Sequence, residues 1–246
     1  AKGNHGLPAL HDIELEVHAG EIVGVAGVSG NGQTELAEVL GGMRRTSAGS
    51  ITVDGTELAD RGPGEVLAAG VGRIPEDRHA SLVLELPVSL NLIMEHIDDF
   101  APGGRLDRAA IESYAEELIE RYQIKARPGD RVATLSGGNI QKVLLARVLS
   151  RDPRVIIVSQ PTRGLDVGAS EYVRTELLER RADGAAVLLI SEDLDELVSL
   201  SDRIVVLYEG RLVGHIEAAE ADPEQLGMLM AGRSAAAELV SEGSAQ

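Results

Sequence analysis

The stretch from residue 134 to residue 166 constrains the fold most, because a glycine turn, a helix, a strand and a second turn follow one another in it. Apolar residues with helical spacing run to Leu149, and Pro153 ends the helix. The β-branched run at 155–158 then predicts a buried strand. A helix that begins after Ser-Gly-Gly offers free N–H groups and a favourable dipole to an anion. The stretch therefore predicts an α/β core with an anion-binding turn, whose residues are Leu135, Ser136, Gly137, Gly138 and Asn139.

A second glycine-rich loop lies between a strand predicted at 21–28 and a predicted helix. Glycines let successive N–H groups converge on phosphate oxygens, and the hydroxyl of Thr34 can bind Mg²⁺. The pattern for such a loop, G-x-x-x-x-G-K-[ST], has lysine where this chain has Gln33, and a neutral amide cannot neutralise phosphate charge. The alternative is a turn that binds nothing. The predicted nucleotide-binding residues are Gly27, Ser29, Gly30, Asn31, Gly32, Gln33, Thr34 and Glu35.

The rest of the chain alternates between patterns typical of strands and patterns typical of helices. A charged turn at 75–78, Pro-Glu-Asp-Arg, follows one predicted strand, and by itself it reads as an exposed turn. A Ser-acidic pattern at 191–194 predicts the cap of a late helix. Strands are predicted at 8–18, 70–74, 185–190, 203–207 and 211–216, with a hairpin within 46–57. Helices are predicted at 64–69, 88–96, 107–122, 169–181 and 223–230.

Composition and charge exclude several classes of protein. The net charge of −17 argues against a nucleic-acid partner, because no basic surplus is available for phosphates. Hydrophobic residues make up 43% of the chain and aromatic residues only 2%, so the core must be aliphatic. The absence of cysteine excludes disulfides and thiolate metal sites. No apolar run reaches the roughly 18 residues that span a bilayer. The chain begins at Ala1 without an initiator methionine, which suggests a part of a longer protein.

Taken together, these motifs resemble the ABC-type ATPases over nearly the whole chain. The match is to the second, C-terminal nucleotide-binding domain of double-domain subunits in bacterial importers of simple sugars and nucleosides, and 75–78 with 226–232 favour the nucleoside branch. The resemblance implies an α/β P-loop fold with a mixed central sheet, an antiparallel β part and an inserted helical subdomain. We expect one domain over 1–246, with its core at 1–78 and 151–221, the helical subdomain at about 79–150 and a tail at 222–246. The segments that carry the resemblance are 27–35, 74–93, 135–147, 160–169 and 190–197.

Carried over by position, the resemblance implies that the catalytic residues are degenerate. Ser159 stands where the family has the carboxylate that holds Mg²⁺, and Gln160 stands where it has the glutamate that activates water. Glu192 replaces the histidine that senses the γ-phosphate, and Glu76 replaces the glutamine that contacts Mg²⁺ and water. In this family the loop 135–139, hereafter the signature loop, caps in trans the nucleotide held by a second domain. Asp166 corresponds to the D-loop residue at the contact between the two domains.

Three functions remain open at this stage. The first is a degenerate ATP- and Mg²⁺-binding domain that completes the site of a second ABC domain. We expect it in the cytoplasm, held at the inner membrane by transmembrane permease subunits that work with a solute-binding protein. The second is a modestly active ATPase in which Glu76 or Glu192 replaces the missing base. The third is a soluble, non-transport ABC ATPase. The usual aromatic residue that stacks on adenine is missing, and His5 is the nearest ring.

Overall fold

A mixed β-sheet carries the fold in the computed structural model, which describes residue 1 and residues 9–232 of the chain. Its strand order in this described part is β4-β5-β6-β1-β7-β8, and β2 and β3 form a separate hairpin. The strands are β1 (Ile22–Ala26), β2 (Thr52–Val53), β3 (Thr56–Glu57), β4 (Val71–Ile74), β5 (Val155–Ser159), β6 (Ala186–Ser191), β7 (Arg203–Tyr208) and β8 (Arg211–Glu217).

The helices alternate with these strands along much of the chain. Short 3₁₀ turns occur at Met94–Phe100, Pro102–Gly104, Val132–Thr134 and Ala218–Glu220. The α-helices are α1 (Gln33–Leu40), α2 (Pro63–Ala68), α3 (Arg78–Ser81), α4 (Val88–Ile93), α5 (Arg108–Arg121), α6 (Gly137–Leu149), α7 (Val167–Ala182), α8 (Leu194–Leu200) and α9 (Pro223–Met230).

The register of the sheet decides where functional side chains can meet. Strand β1 is parallel to β6 on one side and to β7 on the other, so Ala26 pairs with both Ser191 and Val206. Strand β5 is parallel to β6, and β8 returns antiparallel to β7. The predicted α/β class with a mixed sheet is confirmed. The carboxyl ends of β5, β6 and β1 therefore lie at one edge of the sheet.

The chain divides into two compact units. The first comprises Ala1–Val71, Arg154–Gln160 and Leu177–Gln246. The second comprises Gly72–Pro153 and Pro161–Glu176.

Each unit has its own aliphatic interior. In the first, residues of β1, α1, β5, β6 and β7 form the buried cluster. In the second, helices α4, α5 and α6 contact one another. Three rings of the second unit also pack together, with centroids 5.1 to 5.5 Å apart: His96, Phe100 and Tyr114.

The strand predicted at 8–18 is wrong over its described part. Residues 9–18 form no strand, although Leu10, Ile13 and other apolar residues of the alternating pattern pack against the core cluster. Asp12 has a left-handed backbone with φ of 48°, which interrupts extended pairing. The amphipathic pattern was therefore read correctly, but the backbone follows the core surface without a hydrogen-bonded ladder.

Two predicted helix boundaries also need correction. The helix predicted at 88–96 ends at Ile93 and continues as a 3₁₀ turn, in which His96 is non-helical with φ of −145°. The helix predicted from Ser191 starts at Leu194, because Ser191 still belongs to β6. Its cap is Asp193, whose carboxylate accepts the N–H groups of Asp195 and Glu196 at 3.0 and 3.1 Å.

We expect Asp193→Ala to lower the free energy of unfolding by about 1 kcal/mol, the usual cost of losing an N-cap. Urea denaturation of the purified chain measures this change. Asp193→Asn is the matched control, because it keeps an oxygen acceptor for the same N–H groups and should stay near the wild type. Equal losses in the two variants would show that charge, not capping, is what Asp193 contributes.

In the described part of the chain, every helix is too short or too polar to cross a membrane. The last predicted helix, at 223–230, is confirmed as α9. The part of the predicted tail that follows residue 232 lies outside the described residues.

Candidate functional site

The first candidate element is the loop from Gly27 to Thr34, hereafter the phosphate loop, which joins β1 to α1 in the first unit. Its backbone requires glycine at two positions, since Gly30 and Gly32 have φ of 91° and 108°. Gly27 is required for space, because a Cβ there would lie 2.7 Å from the carbonyl oxygen of Leu207. The sequence therefore folds this segment as a strand, glycine loop and helix.

The side chain of Gln33 folds back into this loop. Gln33 is buried, and its Nε2 donates to the carbonyl oxygen of Val28 at 3.0 Å. A Cβ on Gly27 would lie 2.6 Å from that nitrogen, so the missing side chain makes room for the amide. Gln33, which stands where the phosphate-loop pattern has lysine, therefore bonds to the loop itself and carries no charge.

The phosphate loop fits phosphate oxygens through its backbone. Helix α1 has no side-chain cap at Gly32, and in the described residues no acceptor is found for the N–H groups of Gln33, Thr34 and Glu35. Free N–H groups at a helix start, with the positive end of the dipole, suit an anion. Residues 27–35 contain no lysine or arginine, so this attraction lacks a formal positive charge.

The same site suits Mg²⁺ less well. Thr34 is exposed and can offer its hydroxyl, but β5 ends at Ser159, and neither Ser159 nor Gln160 after it has a carboxylate. Magnesium prefers charged oxygen ligands. Across the described residues, no group of three or more His, Asp or Glu is arranged to hold a metal ion.

An asparagine inside the loop anchors it to the β7–β8 turn. Asn31 is buried, and its Oδ1 accepts the N–H of Glu209 at 3.1 Å. Its carbonyl oxygen accepts the N–H of Gly210 at 2.9 Å. The sequence analysis missed this contact, because the partners are 178 residues apart and no local pattern links them.

Three of the degenerate positions meet at the carboxyl edge of the sheet in the first unit. Ser159 pairs with Ile190 in the ladder, and the next residue, Gln160, has φ of 48°. The Oε1 of Gln160 accepts the backbone N–H of Glu192 at 3.4 Å. The carboxylate of Glu192 is on an exposed residue. Gln160, at the predicted position of the catalytic base, is thus a neutral amide that bonds to the backbone of Glu192. Glu192, at the predicted position of the histidine, is an acid.

The signature loop lies in the second unit at the start of α6. Ser136 is the N-cap of this helix, and its Oγ accepts the backbone N–H of Asn139 at 3.4 Å. A Cβ on Gly138 would lie 3.1 Å from the Cβ of Ala169 and 4.0 Å from the carboxylate of Asp166. The signature loop and the predicted D-loop residue are therefore neighbours within one unit.

Asp166 also lies directly before α7. Its Oδ1 accepts the N–H of Ala169 at 2.9 Å, and its carbonyl oxygen accepts the N–H of Ser170 at 2.9 Å. The carboxylate is thus held in place beside Gly138.

The charged turn at 75–78 is tied to the turn before α7. Glu76 forms an ion pair with Arg163, and Arg78 donates to the carbonyl oxygens of Arg163 and Gly164 at 2.8 and 3.4 Å. Hydrogen bonds from Ala80 and His79 lower the pKa of the Asp77 carboxyl, although slight burial opposes them. Glu76 is therefore paired with a cation in this turn.

Arg78 is the organising residue that sequence reasoning missed in this unit. Its Nη2 would lie 3.4 Å from a Cβ on Gly137, so the guanidinium stands beside the signature loop as well as the turn at 163–164. The Pro-Glu-Asp-Arg turn was the available signal, but the partners of Arg78 are 85 residues away in sequence.

The predicted site residues thus form two groups, one in each unit. The first unit contains 27–35, Ser159, Gln160 and Glu192, and the second contains Glu76, 135–139 and Asp166. The predicted roles of these residues stay predictions. His5, the candidate for adenine stacking, lies outside the described residues.

Comparison with known proteins gives consistent matches. A family model described as ABC transporter matches residues 10–163. A glucose import ATP-binding protein of Haloferax volcanii is 45% identical over 238 residues, which cover 94% of this chain and 43% of that protein. A guanosine import ATP-binding protein of Bacillus subtilis is 42% identical over 236 residues, with 94% and 46% covered.

Solved structures give the same picture of the fold. One described as an ATP binding subunit of an ABC transporter superposes with a TM-score of 0.75 at 25% identity, covering 94% of this chain and 96% of that one. Whereas it matches nearly all of that solved structure, the chain spans less than half the length of the two import proteins.

Proposed function

This chain belongs to the ABC transporter family, and from that premise we propose that it is an ATP-binding domain of an importer for simple sugars or nucleosides. We propose further that its own phosphate loop is catalytically degenerate. Its main contribution is the signature loop, which completes in trans a nucleotide site on a second ABC domain.

The solute class rests on the relatives. The two import proteins compared above each match 94% of this chain and are named for the import of glucose and of guanosine. A solute-binding protein and permease subunits would supply the choice of solute. In this proposal the domain works on the cytoplasmic face of the membrane, bound to the permease, and has no nucleic-acid partner.

The bond from Gln33 to the carbonyl of Val28 is the observation that carries the proposal of degeneracy. When bound, ATP with Mg²⁺ would present its phosphate groups to this loop, and the free N–H groups of α1 would hold the phosphate oxygens. The neutral amide of Gln33 cannot balance the negative charge of these phosphate oxygens. Gln160 has no basic electron pair to take a proton from water, and Glu192 adds negative charge at the position where the family senses the γ-phosphate.

The signature loop, in contrast, has the features that its role requires. Ser136 is exposed at the start of α6, a helix of 13 residues. Gly138 allows Ala169 to approach closely, because a Cβ at Gly138 would lie 3.1 Å from the Cβ of Ala169. An exposed hydroxyl beside the first N–H groups of a helix can donate to a phosphate brought by another domain.

The second candidate, a modestly active ATPase with a substitute base, has less support. Glu76 is engaged with Arg163, and the backbone of Glu192 bonds to the very amide that replaces the base. No contact among the residues that the structure describes favours a soluble ABC ATPase outside transport.

We expect Ser136→Ala to lower ATP turnover about tenfold or more in the complete subunit reconstituted with its permease. One hydrogen bond to a charged group contributes about 1.5–3 kcal/mol, and about 1.4 kcal/mol corresponds to a factor of ten. A phosphate-release assay on the membrane-reconstituted complex measures this.

Ser199→Ala is the matched control for this experiment. The hydroxyl of Ser199 donates within α8, to the carbonyl oxygen of Glu196 at 3.1 Å. Turnover should stay at the wild-type level in this variant. Unchanged turnover in Ser136→Ala would contradict the proposed role in trans.

A further inference from the structure

Asn139, in the first turn of α6, bridges the signature serine and a neighbouring segment of the second unit. Its Oδ1 accepts the backbone N–H of Lys125 at 2.7 Å. Its Nδ2 donates to Oγ of Ser136 at 2.9 Å. The side chain thus uses both ends of its amide.

The backbone of Lys125 fixes which way this amide points. A backbone N–H can only donate, so the atom that faces it must be the amide oxygen of Asn139. The NH₂ group of Asn139 must then face Ser136. The orientation of the amide follows from chemistry and requires no further assumption.

This orientation decides what the hydroxyl of Ser136 can do. Its oxygen accepts two N–H groups of Asn139, one from the side chain at 2.9 Å and one from the backbone at 3.4 Å. In the part of the chain that the structure describes, no acceptor is found for its own proton. A hydroxyl has one proton and two lone pairs, so the proton remains available to an outside acceptor.

We propose that Asn139 is a positioning residue that turns the hydroxyl proton of Ser136 outward, toward a phosphate oxygen on the second domain. The inference rests on the proposed role of the signature loop in trans. It adds that the hydroxyl of Ser136 donates to the phosphate, because its oxygen already accepts the N–H groups of Asn139.

A second contact holds this arrangement in place. Lys142, one turn further along α6, donates from Nζ to the carbonyl oxygen of Gln123 at 3.1 Å. The same Nζ lies 4.0 Å from the centre of the Tyr172 ring. Residues 123–125 are therefore tied to α6 at two points, and the N–H of Lys125 is held where it can orient Asn139.

Asn139→Asp tests the inference, because it keeps the shape and reverses one hydrogen bond. One carboxylate oxygen can still accept from Lys125, but the other can only accept, so the proton of Ser136 must turn inward. In the complete subunit with its permease, we expect turnover to fall about tenfold or more, as for loss of a hydrogen bond to a charged group.

The double variant Ser136→Ala/Asn139→Asp separates orientation from charge. If Asn139 acts through the serine hydroxyl, the double variant should match Ser136→Ala within about twofold, because coupled residues are not additive. If the two losses multiply, the new charge alone explains the effect and the inference is overturned. If Ser136→Ala has no effect on turnover, the proposed function fails instead.

Nuclear magnetic resonance of the isolated chain tests the geometry without any assay of function. The side-chain NH₂ signals of Asn139 should shift and lose protection from solvent exchange in Ser136→Ala. Ser199→Ala should leave them unchanged. Unaltered signals in Ser136→Ala would overturn the inference, whatever the turnover.

Discussion

Replacing Gln33 by lysine is expected to tighten the binding of Mg²⁺-ATP to this chain about tenfold to a hundredfold. The amide of Gln33 now bonds to the carbonyl of Val28, and no residue of 27–35 carries positive charge. An ammonium adds a charge-assisted hydrogen bond to phosphate, which contributes about 1.5–3 kcal/mol. Isothermal titration calorimetry measures the change in Kd.

The same substitution is expected to leave ATP turnover absent. Lysine restores charge for binding, but Gln160 remains a neutral amide and Ser159 remains a weak metal ligand. Gln225→Lys is the matched control, because Gln225 is an exposed residue of α9 and the substitution makes the same change of charge outside the phosphate loop. Equal tightening in the control would mean that net charge, and not the loop, governs affinity.

Replacing Arg147 by methionine is expected to lower the free energy of unfolding by about 3 kcal/mol at pH 7, the cost typical of breaking a buried ion pair. Only 8% of the Arg147 side chain is exposed, and its Nε lies 3.1 Å from Oε1 of Glu95, whose side chain is 22% exposed. Its Nη1 also donates to the carbonyl oxygen of Ser81 at 2.8 Å. Methionine fills similar space but leaves the carboxylate without this cation. Urea denaturation measures the loss.

The pH dependence of this loss identifies its cause. Burial raises the pKa of the Glu95 carboxyl, although Arg147 and Arg151 oppose the rise. Removing Arg147 raises that pKa further, and a carboxyl with a raised pKa destabilises the fold as the pH increases through it. The deficit of the variant should therefore grow from pH 4 to pH 7. A second change, Glu95→Gln, should recover part of the stability at pH 7.

Two results would contradict this account of Arg147. One is a deficit that stays constant between pH 4 and pH 7. The other is a double variant that is no more stable than Arg147→Met. Either would assign the loss to packing and to the bond with Ser81.

The sequence predicted the elements whose signals are local. Glycine spacing and β-branched runs located the phosphate loop, the buried strands β1, β5 and β6, and the helix that follows the signature loop. It failed at 9–18, because alternation reports which side chains face the core and not whether the backbone pairs with a neighbour. The left-handed residue Asp12 gave no signal in the pattern.

Contacts between distant segments could not be predicted in the same way. Asn31 with Glu209 and Arg78 with Arg163 join residues that meet only after folding. The substitutions at Gln33, Ser159, Gln160 and Glu192 were visible in the sequence. The structure adds what these side chains touch, and for Gln33 that partner is the loop itself.

Calorimetric titration of this purified chain with Mg²⁺-ATP, beside a steady-state ATPase assay, shows whether its phosphate loop is degenerate. We expect weak or undetectable binding and no turnover above that of contaminants, because the phosphate loop lacks a cation and an amide stands at the position of the catalytic base. Robust turnover that is abolished by Glu76→Gln or by Glu192→Gln would contradict this expectation. That result would mean that one of these carboxylates has taken over the role of the missing base.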